Sequence, residues 1–280
     1  MSTSEQSSEL LRRPYAQRQR IVVVDDPALA AERAVEAESA KTGKGVDWAQ
    51  MSTSVLKFGA AGAAGILAVE VITAVQKARS EGLKVLTVGR TEAQTLTLPP
   101  GHPRDRVIYV GHPAIDSVYY PASGFHRFTF EHKFSEAVRL LMALGATELE
   151  VEHVRGWSDD FAANLSMPLP AAAAGSAGVT GGRNHTSGSS ALFRAKLTGT
   201  TAPSLPEGLV WFPHEPTWQQ VAEGRMNYGL REFQLTVRYE DDYGINAGLK
   251  VAAQNVGLQL GGNFQEHEST TWKINGTFDA

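Results

Sequence analysis

The alternation across residues 233–239 constrains the fold of this chain more tightly than any other feature. Phe233, Leu235, Val237 and Tyr239 are apolar, and Gln234, Thr236, Arg238 and Glu240 interleave with them. Successive side chains of a strand point to opposite faces, so the pattern predicts a β-strand with one dry and one wet face. Asp241-Asp242-Tyr243-Gly244 has the composition of a turn. Ile245, Ala247, Leu249 and Val251 then alternate again. After Gln254-Asn255 the phase moves by one, to Val256, Leu258, Leu260 and Phe264, which predicts a bulge or turn. Trp272, Ile274 and Phe278 close the chain. Residues 217–280 are thus expected to form a short helix, opening at Thr217-Trp218, and an antiparallel meander with one wet face.

The upstream part mixes periods. The β-branched run Ile21 to Val24, followed by Asp25-Asp26-Pro27, predicts a strand and then a helix that starts at proline. A second helix is expected between the cap-like Ser52-Thr53-Ser54 and Gly82. Its stretch Phe58 to Val69 carries no charge and holds Gly59, Gly62 and Gly65. Each glycine costs a helix interior about 1 kcal/mol, so three imply close packing. Twelve helical residues cover only about 18 Å, too little to cross a bilayer. Strands are predicted at Leu83–Val88, Thr95–Leu98, Val107–Val110 and Leu149–Val154. Between the last two, Phe130, Phe134, Ala137, Val138, Leu141 and Leu144 share one face of a helix over 125–144, with Gly145 as its C-cap. The order strand, helix, strand over 106–154 predicts a crossover unit.

The fold class is therefore α+β: N-terminal helices and a strand-helix-strand unit, then a mainly antiparallel sheet. Residues 1–20 form an expected disordered arm made basic by Arg12, Arg13, Arg18 and Arg20. An α/β core over 21–202 carries a low-complexity insertion at 166–190, which makes the flanking strands a hairpin with a flexible tip. The prolines of 203–216 mark a linker ahead of 217–280.

Cysteine is absent, which excludes disulfides and thiolate chemistry. The formal charge of −4 argues against a dedicated nucleic-acid binder. No secretory apolar core occurs in the first twenty residues, and a cytoplasmic location is the expectation. No phosphate loop, dinucleotide fingerprint or hydrolase motif is present, so no catalytic residue or cofactor is assigned and an enzyme is not favoured. Polar side chains do concentrate between 102 and 133, where four of the eight histidines fall. The loop 111–125 is expected to leave a strand and enter a helix N-terminus, a place where anions bind. His112, Tyr119, Tyr120, His126 and Arg127 are the candidate ligand-binding residues. His132 and Glu136 share a helix face, yet two ligands make no metal site and none is assigned. Asp159-Asp160 and Asp241-Asp242 suit turns, and Trp211, Trp218 and Trp272 suit a core.

Three functions fit these observations. The first is a non-enzymatic protein that self-associates, or binds a protein partner, through β-sheet surfaces. The second is an effector that touches membrane only after refolding its Gly/Ala-rich helix and its hairpins. That organisation is analogous to gasdermin- or perforin-type proteins, although the chain carries none of their motifs. The third is a nucleotide or anion sensor, or an enzyme, that uses the 112–132 cluster.

Overall fold

A computed structural model describes residues 9–43, 63–157 and 191–279. The protein is α+β, and the described residues form two four-stranded sheets. It divides into two compact units: residues up to His126 together with Gly244–Glu266, and Arg127–Tyr243 together with the residues from His267 onward. The units are interleaved along the chain, where the sequence pattern predicts consecutive segments.

The first unit contains α1 (Tyr15–Arg18), β1 (Arg20–Val24), α2 (Asp26–Thr42), α3 (Ala63–Ser80), β2 (Leu86–Gly89), α4 (Arg90–Ala93), β3 (Ile108–Gly111) and β4 (Tyr119–Pro121). Its sheet has the order β2-β1-β3-β4. Only β1 and β2 run parallel; β3 pairs antiparallel with β1, and β4 with β3. Parallel neighbours need a crossover, and α2 and α3 lie in it. Ile21 to Val24 and all of β3 are buried, so these strands are apolar throughout rather than alternating.

Residues 9–20 are ordered, contrary to the expected arm. Leu10 is buried, and its N–H donates to Glu92 at 2.9 Å. Arg18 is buried too, bonded to the Arg13 and Asp116 carbonyls and ion-paired with the Asp116 carboxylate. A buried guanidinium needs such partners, and the Arg18 charge is neutralised within the unit. The strand expected at 95–98 is reduced to a single bridge between Thr97 and Val118.

The second unit holds most of α5 (Phe125–Ala143), then β5 (Ala146–Arg155), β6 (Ala191–Lys196), α6 (Pro216–Tyr228), β7 (Glu232–Tyr239) and β8 (Thr270–Phe278). Its sheet is antiparallel throughout, in the order β6-β5-β8-β7. The strand, helix, strand order of 106–154 is present as β3, α5 and β5, but β3 and β5 belong to different sheets. Periodicity identifies each element and is silent about which sheet it joins.

The expected apolar face of α5 is entirely buried, with Trp218 of α6 and Leu235, Val237, Trp272 and Ile274 of the sheet. The Trp272 ring meets Phe130 and Phe134 edge-on at 4.8 and 5.1 Å. Each such side chain contributes about 1.5–3 kcal/mol on burial. Gly145 ends α5 with φ +89°, a conformation glycine adopts without strain. Gly276 is needed for another reason: a Cβ there would lie 2.1 Å from the Glu148 carbonyl oxygen.

The meander is corrected between 245 and 264. Residues Ala247–Asn255 form α7, in the first unit. Ile245, Leu249, Ala253 and Val256 are all buried, at helical spacing, whereas Val251 is 54% exposed. Alternation placed Val251 on the dry face. Asn246 decides the matter locally: its side-chain oxygen accepts the Gly248 and Leu249 N–H groups and caps the helix. Of the second expected run, Gln259 bridges to Val107 beside buried Leu258 and Leu260. The segments 58–62 and 166–190 lie outside the described residues.

Candidate functional site

The candidate ligand cluster is held by internal bonds. His112, Tyr119 and Tyr120 lie together where β3 turns into β4. His112 is buried; its Nδ1 accepts the Ala114 N–H at 3.0 Å, and its ring stands edge-on to Tyr120 at 6.1 Å. The Tyr119 hydroxyl donates to the Arg18 carbonyl at 3.0 Å, and burial pushes its pKa up. His126 is fully buried and donates from Nε2 to the Ile245 carbonyl at 2.6 Å. Arg127 pairs with Glu131 one turn along α5 at 3.3 Å and lies over the Phe128 ring. Residues Ala122 to His126, at the start of α5, are buried. The Ser123 N–H donates to Leu260, and the Gln265 N–H donates to Ser123. The backbone that the anion expectation relied on is thus covered by 260–265.

A pocket with charged walls lies instead at the carboxyl end of β1. Val23, Val24, Asp25, Leu67, Ala68, Val71 and Asp105 line a volume of about 110 Å³. Arg90 joins its two carboxylates, Nε to Asp25 and Nη2 to Asp105, both at 2.5 Å. The bond to Asp25 raises the guanidinium's pKa further. Asp26 accepts from the Thr91 hydroxyl at 2.6 Å. Strand ends of this kind often hold ligands, but ordinary ligand pockets span roughly 300–1,000 Å³. This one accommodates a few waters. Among the described residues no three His, Asp or Glu side chains are grouped to hold a metal.

His132 and Glu136 serve the loop after β6. Glu136 is buried and accepts three backbone N–H groups, from Val210, Trp211 and Phe212, at 2.8, 2.8 and 2.9 Å. His132 Nδ1 accepts the Trp211 indole N–H at 2.9 Å, and burial lowers the His132 pKa. Lys133, between them, pairs with Glu215 and donates to the Arg238 carbonyl at 2.8 Å. The proline-rich stretch 203–216 is therefore anchored at Trp211, which is buried, rather than acting as a free linker. Trp218 and Trp272 are also in the core.

The surface with most unspent polar chemistry is the wet face of the second unit's sheet. Two rows cross all four strands: Lys196, Glu148, Thr277, Glu232, and Arg194, Glu150, Asn275, Gln234. Lys196 pairs with Glu148 at 3.1 Å, and Arg194 with Glu150. The i, i+2 spacing of Glu148, Glu150 and Glu152 and of Arg194 and Lys196 was a signal for this face. Strand order, which sequence does not carry, brings the two sets together.

No protein family, curated protein or solved structure matches the chain.

Proposed function

We propose that this is a non-enzymatic protein that acts by self-association through the sheet of its second unit. The observation that carries this reading is β6. Among the described residues it is an edge strand bonded only to β5, and its Arg194 and Lys196 side chains are 69% and 85% exposed. Edge strands present unpaired backbone groups and act as templates for another chain. The small volume of the strand-end pocket, and the internal bonding of His112, Tyr119, His126 and Arg127, give a ligand-based reading less support. Light scattering over a concentration series tests the proposal. Mass should rise reversibly with concentration; a strict monomer at the highest concentration reached would overturn it.

One observation favours a membrane-inserting variant of this function. Arg155 pairs with Thr271 and Tyr239 with Thr270, so the β5–β6 and β7–β8 connections leave the sheet at the same end. Two connections at one end of one sheet offer residues by which its strands would lengthen to the roughly 9–11 that span a bilayer. No described helix is long and apolar enough to cross a membrane. Dye release from anionic liposomes, with and without limited proteolysis, tests the variant, and intact liposomes under both conditions would rule it out.

A further inference from the structure

We infer that copies of this chain join head to tail, with β7 of one copy pairing antiparallel to β6 of the next. Glu232 then faces the partner's Lys196, and Gln234 faces the partner's Arg194. The inference rests on the self-association reading and specifies its partner and register.

Strand parity comes first. Among the described residues the sheet has four strands with every neighbour antiparallel, so its edge strands β6 and β7 run in opposite directions. Two copies in the same orientation therefore meet β7 to β6 in antiparallel fashion, and the step repeats.

Backbone direction agrees. The Phe278 N–H donates to the Arg231 carbonyl, so the odd residues of β7 bond inward to β8. The even residues, Glu232 and Gln234 among them, face the open edge. The Leu197 N–H donates to the Thr147 carbonyl, so Ala195 bonds inward to β5 while Arg194 and Lys196 face out. Outward groups on the two edges thus belong to residues whose side chains share the wet face.

Charge and level select the register. Glu232 is exposed and makes no ion pair with a described residue. It lies in the row of Lys196, so an unstaggered neighbour brings the partner's Lys196 opposite it. Pairing β6 with β6 instead sets Arg194 against Arg194 or Lys196 when both residues overlap, and like charges directly opposite destabilise a sheet.

At their other ends the β7 edge is obstructed and the β6 ladder is irregular. On β7 the Thr236 carbonyl accepts the Trp218 indole N–H, and the Arg238 carbonyl accepts from Lys133. On β6 the register shifts past the Val151 pairing. The open stretches of both strands lie at the same level, and the short ladder they allow predicts weak, reversible association.

The cysteine-free chain permits a direct test. Arg194→Cys and Gln234→Cys are made separately and mixed under mild oxidation. Residues paired across a sheet lie about 5.5 Å apart, within disulfide reach. In one chain the two positions are three strand spacings apart, about 14 Å, so they cannot link internally. A disulfide dimer from the mixture and little from either variant alone is expected, with a ladder of higher species from the double variant. Glu232→Lys should weaken association roughly tenfold, and adding Lys196→Glu in the same chain should restore it. Association without the mixed disulfide, or a disulfide from Arg194→Cys alone at equal yield, would overturn this register and leave self-association standing. A monomeric wild type would overturn both.

Discussion

Glu136 shows how one side chain can set the course of a loop. Three N–H groups converge on its buried carboxylate, and bonds to a charged group are worth about 1.5–3 kcal/mol each. Glu136→Ala leaves those donors buried without an acceptor and should cost roughly 3–5 kcal/mol. Thermal unfolding of the variant checks this, and an unchanged melting temperature would contradict it. Glu32 offers a second case at the same scale. It is buried in α2, accepting from Thr87, Gln76 and Arg79 at 2.5, 2.6 and 3.0 Å. Burial raises its carboxyl pKa above the ordinary glutamate range, outweighing the lowering by these partners. The folded state then holds the proton more tightly than the unfolded one. This contribution to stability is fully present in acid and is lost as pH rises through the raised value. Glu32→Gln, uncharged throughout, should therefore gain on the wild type in urea-unfolding midpoints as pH rises above the ordinary glutamate pKa. Parallel pH profiles would count against the assignment.

At the scale of the element, α5 and α7 teach opposite lessons. The α5 face was legible because Phe130, Phe134, Ala137, Val138, Leu141 and Leu144 keep helical spacing over four turns and match no strand. Around α7, Ile245, Ala247, Leu249 and Val251 follow one another at intervals of two, and Ile245 and Leu249 are also one helical turn apart. A run that satisfies both periods is decided by capping and burial. The Asn246 cap is worth about 1 kcal/mol. Asn246→Ala should speed exchange of the α7 amides about fivefold by hydrogen-exchange mass spectrometry; unchanged protection would show that packing alone holds the helix. The surroundings of the candidate cluster at 112–127 were hidden from the sequence for a related reason. Its histidines and tyrosines were visible, but Ile245 and Leu260, more than a hundred residues away, determine what His126 and the start of α5 touch.

For the whole molecule, function follows from which surfaces remain after each unit satisfies itself. The proposed association depends on the exposed, charged rows of one sheet. Such pairs are screened, with a Debye length of about 10 Å at 0.1 M salt and about 3 Å at 1 M. Association measured by sedimentation velocity should therefore weaken as salt is raised. Association that strengthens with salt would point to an apolar contact instead.

By itself the sequence determined the α+β class, the β7 strand, the buried face of α5 and the absence of thiol chemistry. Each follows from residue type or from a short-range period, which local sterics and solvent enforce. Tertiary structure alone decided that β3 and β5 enter different sheets, that 244–266, with α7, belongs to the first unit, and that β6 and β7 are the edges of the described sheet. These outcomes depend on contacts between residues far apart in the chain, where hydrogen bonding and burial outweigh local preference.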